Sequence, residues 1–96
     1  MSSRPEDITI EYEEDGQILV KQLDKVILSK GLWVTVLFRY QELIQDTGEY
    51  GADKFSIRRY KKVGGDYVYQ SKFNISSAKQ AREIAEALFK WLGETA

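Results

Sequence analysis

One change of period constrains this chain more than any other feature. From Ile18 to Ile75 apolar and polar residues alternate in runs bounded by turn residues, the two-residue period of strands. After Ser77 the period becomes 3.6 and stays so to Leu92. A chain written this way folds as a sheet first and a single helix last.

The runs can be placed in order. Ile8 to Tyr12 alternates and reads as a short strand or an ordered arm. Asp15-Gly16 is a turn, and Ile18 to Leu28 is a strand with an interruption near Asp24-Lys25. Leu32 to Leu43 is the strongest strand, with Leu32, Val34, Val36, Phe38 and Tyr40 on one face and Trp33, Thr35, Leu37, Arg39 and Gln41 on the other. Gln45 to Asp53 reads as a long exposed hairpin loop. Lys54 to Val63 is a strand with Phe55 and Ile57 on one face and Ser56, Arg58, Tyr60 and Lys62 on the other. Gly64-Gly65-Asp66 is a tight turn. In the strand Tyr67 to Ile75, strict alternation puts Tyr67, Tyr69, Ser71, Phe73 and Ile75 on one side, and Val68, Gln70, Lys72 and Asn74 on the other.

Ser77 and Gln80 fit a capping box, with Ser76 as the alternative cap, and Gly93 is a natural helix stop. Ala81, Ile84, Ala85, Leu88 and Leu92 make the apolar stripe of the helix. Phe89 and Trp91 sit beside it, where they either close the core or widen the face into a dimer contact; the core is expected for at least one. The expected class is α+β: a single antiparallel sheet of about four to five strands followed by one C-terminal helix packed on one face. Residues 8–96 read as one domain after a loose start over 1–7, the size expected of a 96-residue chain.

Composition removes most catalytic chemistry. With no Cys and no His there is no thiol nucleophile, imidazole base or common zinc site. Glu42, Asp46 and Glu49 flank a Gly-containing loop and read as solvated turn acids. No cofactor and no enzymatic activity are expected. The polar, acidic start lacks the form of a signal peptide, and the apolar window Leu32 to Phe38 is far shorter than the roughly 20 residues of a membrane helix. A cytoplasmic protein without a membrane partner is the expectation.

Charge is segregated. Residues 1–16 hold six acids and one base, and residues 17–96 hold nine acids and thirteen bases. Lys54 to Lys62 contains five bases and no acid. Binding a single-stranded nucleic acid needs cations along the backbone path and flat side chains for the bases. The strands interleave both. Arg58, Arg59, Lys61, Lys62 and Lys72 are the expected phosphate ligands, with Trp33, Tyr40, Tyr60 and Tyr69 for stacking, and Arg39 completes the nucleic-acid-binding set. If Phe55 and Ile57 face the helix, Arg58, Tyr60 and Lys62 face water together. The competing account is a solvated strand face beside an unrelated acidic tail. The acidic arm is expected either to fold back on the basic face or to repel wrong partners.

The run Lys72-Phe73-Asn74-Ile75-Ser76-Ser77 leads from a basic, aromatic strand straight into an amphipathic helix, and Phe38-Arg39-Tyr40-Gln41-Glu42 precedes the acidic-glycine loop Asp46-Thr47-Gly48-Glu49. In these segments the chain resembles the positive-cofactor-four family of single-stranded-DNA-binding transcriptional coactivators, whose domain is four strands followed by a helix. The resemblance is one of pattern and spans roughly residues 18–92. It implies a dimer, a curved sheet face and sequence-tolerant binding of single strands, carried by Arg39, Tyr40, Arg58, Tyr60 and Lys62. The chain departs from the family in the extra hairpin Lys54 to Ile75, in a pI of 5.5, and in lacking a match to the aromatic that follows the family's basic-aromatic strand. The expected partners are therefore single-stranded DNA or RNA and a second copy of the chain. The alternative is a protein–protein module with no nucleic-acid ligand.

Overall fold

The computed structural model describes residues 4–93. A 3₁₀ turn at Pro5–Asp7 leads into an arm, and then come β1 (Tyr12–Glu14), β2 (Gln17–Ser29), β3 (Trp33–Ile44), β4 (Glu49–Tyr50), β5 (Lys54–Val63), β6 (Asp66–Ile75) and α1 (Ala78–Leu92). All pairings are antiparallel, in the order β1-β2-β3-β5-β6, and β4 adds a short ladder to the end of β3. The result is one curled sheet followed by one helix, the expected α+β arrangement with one short strand more than anticipated.

The connections are made by the residues that local chemistry singles out. Gly64 and Gly65 both take positive φ, 59° and 89°, as a primed two-residue hairpin requires. The stretch read as a long exposed loop is more ordered than expected. It turns over Asp46–Gly48, where Gly48 N–H donates to Ile44 O at 2.8 Å, and then pairs Glu49 and Tyr50 with Ile44 and Leu43. At α1 the N-cap is Ser77, not the alternative Ser76. Ser77 Oγ accepts from Gln80 N–H at 3.1 Å, and Gln80 Oε1 accepts from Ser76 N–H at 2.9 Å. Gly93 ends the helix at φ 77°, ψ 17°.

The core lies on the side of the sheet away from the helix. Val34, Val36 and Phe38 of β3 are fully buried, and across the ladder they face Tyr60, Arg58 and Ser56 of β5. The curl of the sheet and the arm close over them, with Ile8 and Ile10 buried in the same cluster and Val20, Ile27 and Tyr67 at its margin. The segment Ile8 to Tyr12 is thus an arm for most of its length, and only Tyr12 joins β1. Ser56 is the one buried polar residue among those described; its hydroxyl donates to Asn74 Oδ1 at 2.8 Å and accepts from Arg58 Nε at 3.2 Å.

The segment expected to be loose is tied down from Arg4 onward; residues 1–3 lie outside the described residues. Lys25 reaches off β2 and donates to Glu6 O and Ile8 O, each at 2.6 Å, and to Pro5 O at 3.5 Å. Gln22 Oε1 accepts from Ile10 N–H, and Lys30 pairs with Glu6 at 2.8 Å.

The helix departs most from expectation. It lies on the Phe55 and Ile57 side of the sheet, a choice the sequence leaves open, and none of its residues is buried. Phe89 is half-buried and Trp91 is exposed, so Trp91 closes no core. Lys25→Met tests what holds the arm. Hydrogen bonds to charged groups contribute about 1.5–3 kcal/mol net, less where the groups are exposed. The substitution is expected to cost about 1–3 kcal/mol in urea unfolding and to speed amide exchange at Ile8 and Ile10.

Candidate nucleic-acid interface

The functional side chains come mainly from the β5–β6 hairpin, and a bulge decides how they are grouped. Arg59 pairs with Ser71 and Tyr60 with Tyr69, which leaves Gln70 as an extra residue on β6. Beyond it every side chain of β6 changes face. Tyr67 and Tyr69, which strict alternation separates from Lys72, therefore join it on the side occupied by Arg58, Tyr60 and Lys62. Ring contacts agree with this register. Tyr69 meets Tyr60 edge-on at 6.2 Å between centroids, and Lys62 Nζ lies 5.8 Å from the Tyr67 ring centre.

The ten expected ligands do not form one surface. Arg58, Lys62, Tyr69 and Lys72 share the core side of the hairpin, with Tyr67 between them, a residue the sequence reading left out of the set. Tyr69 is about half exposed (49%), and Lys62 and Lys72 are exposed. Trp33, Arg59 and Lys61 sit together on the opposite side, with the Arg59 guanidinium 4.5 Å and Lys61 Nζ 5.6 Å from the Trp33 ring centre.

Three of the ten are corrected by their surroundings. Tyr40 and Tyr60 are each only 7% exposed and belong to the core cluster, so their rings are not open for stacking. The expectation that Tyr60 faces water fails because the face opposite the helix is the closed face. Arg39 is engaged by Asp53, with its Nη2 at 2.6 Å from Oδ2, and Gln41 donates to the other oxygen of the same carboxylate. These bonds, first Arg39 and then Gln41, hold Asp53 below the usual carboxylate range.

The remaining cations are not neutralised from within. The salt bridges among the described residues join Arg4 and Lys30 to Glu6, Arg39 to Asp53 and Lys54 to Glu42. Arg58, Arg59, Lys61, Lys62 and Lys72 have no acidic partner among the described residues. Glu13, Glu14 and Asp15 lie at the far edge, in β1 and the turn after it. The sheet thus grades from an acidic edge strand, β1, to a basic strand, β5, next to the opposite edge. The arm folds back on the core side but not onto the basic residues of the hairpin: its bonds go to Gln22 and Lys25 of β2, and its Glu6 is matched to Lys30 and Arg4.

Tyr60 offers a test of this placement. Burial pushes its phenol above the ordinary tyrosine range, while nearby Arg58 pulls the other way. A phenol whose pKa is raised in the fold favours the folded state below the unfolded pKa of about 10 and loses that contribution as pH rises through the folded value. Stability is expected to fall from about pH 10 upward until the phenol ionises in the fold, and Tyr60→Phe is expected to flatten that fall in urea midpoints measured across the alkaline range.

Among the described residues no helix is long and apolar enough to cross a membrane. The chain matches no family model, no curated protein and no solved structure.

Proposed function

We propose that this protein is a non-enzymatic binding domain for single-stranded DNA or RNA in the cytoplasm, and that the ligand runs along the core-side surface of the β5–β6 hairpin. The observation that carries this reading is a set of cations without acidic partners, Arg58, Lys62 and Lys72, on the same side as Tyr67 and Tyr69. The cations follow a phosphate backbone, and Tyr69 offers a ring face to a base. Tyr60 serves as a buried support under Tyr69 rather than as a platform. The pattern resemblance to the positive-cofactor-four family supports the same ligand class, although this chain builds six strands where that family has four. The exposed apolar side of the sheet supports a second, compatible role in protein–protein contact.

Fluorescence anisotropy with labelled oligo-dT and oligo-U of about 20 nucleotides tests the reading. Binding is expected to weaken steeply with salt, the log–log slope falling by about 0.7 for each phosphate contact removed. Tyr69→Ala is expected to cost about 1–3 kcal/mol of binding. Charge reversal at Lys62 and Lys72 is expected to abolish binding, whereas Arg59→Glu with Lys61→Glu, on the other side, leaves most of it. Salt-independent binding, or equal loss from both pairs, is incompatible with this surface.

A further inference from the structure

We infer that a second copy of this chain covers the helix side of the sheet, the two copies meeting face to face about a two-fold axis. Four observations converge on this surface. The first is the helix itself. It is strongly amphipathic over fifteen residues, yet none is buried, and Leu88, Trp91 and Leu92 are 50%, 79% and 69% exposed. An apolar stripe of this length is stable in water only when something covers it.

The second is the groove between helix and sheet. It is open, has a volume of about 350 Å³, and is lined by Leu37, Phe55 and Ile57 from the strands and Ile84, Ala85 and Leu88 from the helix. Phe73, paired with Ile57 across the β5–β6 ladder, is 54% exposed beside it.

The third is area. The chain exposes 6803 Å², against about 5,700 Å² for a compact monomer of its mass. The excess, about 1,100 Å², exceeds the roughly 800 Å² that each partner contributes to a standard stable interface. The molecule is also only 17 Å thick beside extents of 48 and 40 Å. That thickness accommodates a sheet and a partial helical layer, so one broad side is left without a lid.

The fourth is self-complementarity. A two-fold interface pairs a patch with itself, so it needs both a ridge and a recess on the same patch. Here the Trp91 and Leu92 end of the helix is the ridge and the groove is the recess. The helix flanks carry Lys79, Arg82 and Lys90 with Glu83 and Glu86, so no strong single-sign field opposes a second helix; Arg59 and Lys61, on the same side of the sheet, lie over Trp33 outside the groove lining.

Sedimentation equilibrium and light scattering on the full chain test the inference. At micromolar concentration the mass is expected to be twice the 11.1 kDa of one chain. Trp91→Glu and, separately, Leu88→Glu are expected to halve it with unchanged far-ultraviolet circular dichroism. Trp91 is exposed enough in the single chain that its replacement leaves the core intact. In a Trp33→Phe background Trp91 is the remaining indole, and its emission is expected to shift to the red on dilution. A monomeric wild-type chain overturns the inference, as does a dimer that survives both substitutions or an assembly that grows past two. Arg58, Lys62 and Lys72 face the other way, so loss of the dimer and loss of oligonucleotide binding are read separately.

Discussion

The structure depends on one burial event: the row Val34, Val36 and Phe38, sealed from water on the inside of a curled sheet. The three side chains stand on one face of the central strand, and each needs a lid. The curl brings β2 and β5 inward, and the arm supplies Ile8 and Ile10. That arm is in turn held from β2 by the Lys25 ammonium, which satisfies the backbone carbonyls of Glu6 and Ile8, by Gln22, which accepts from Ile10 N–H, and beyond β2 by the Lys30–Glu6 pair. Most of the other features follow. With the inner face closed, Tyr40 and Tyr60 become core residues, Ser56 and Arg58 must be satisfied by each other and by Asn74, and the helix is left with the outer face.

The outer face is consequently under-covered. In most two-layer α+β domains the helix is the principal lid of the sheet. Here the principal lid is the arm, and α1 contributes an open groove and an exposed apolar end. Two surfaces of different chemistry result, a basic and aromatic one on the inner side of the hairpin and an apolar groove outside, with Trp33, Arg59 and Lys61 on the same side as the groove. The thickness of the sheet keeps the two surfaces apart.

A single inserted residue has more influence on the inner surface than any other local feature. Gln70 adds one position to β6 that β5 does not match, and Tyr67 and Tyr69 move to the face of Lys72. Without the bulge the tyrosines would lie outside with Phe73, and the cations of the inner side would have no aromatic neighbours on β6. The bulge also leaves β5 in strict alternation, which keeps Tyr60 beneath Tyr69.

Much of the frame was legible in the order of residues. The strand sequence, the turns at Asp15-Gly16 and Gly64-Gly65, both caps of α1 and the face partition of β3 and β5 follow from side-chain period, positive φ and capping chemistry, which act over a few neighbouring residues. The site was legible only in part. Which sheet face closes depends on the arm meeting β2 and β3 across a long stretch of chain, and no local period encodes that encounter. The pairing of Arg39 with Asp53, fourteen residues away, withdraws a cation that the pattern alone counted as available. The bulge at Gln70 is likewise a property of two strands in register, because a strand read alone alternates without end. Sequence by itself therefore determined the elements and their order, while tertiary structure decided which faces are inside and which cations remain unpaired, because burial and register are set by contacts between distant segments.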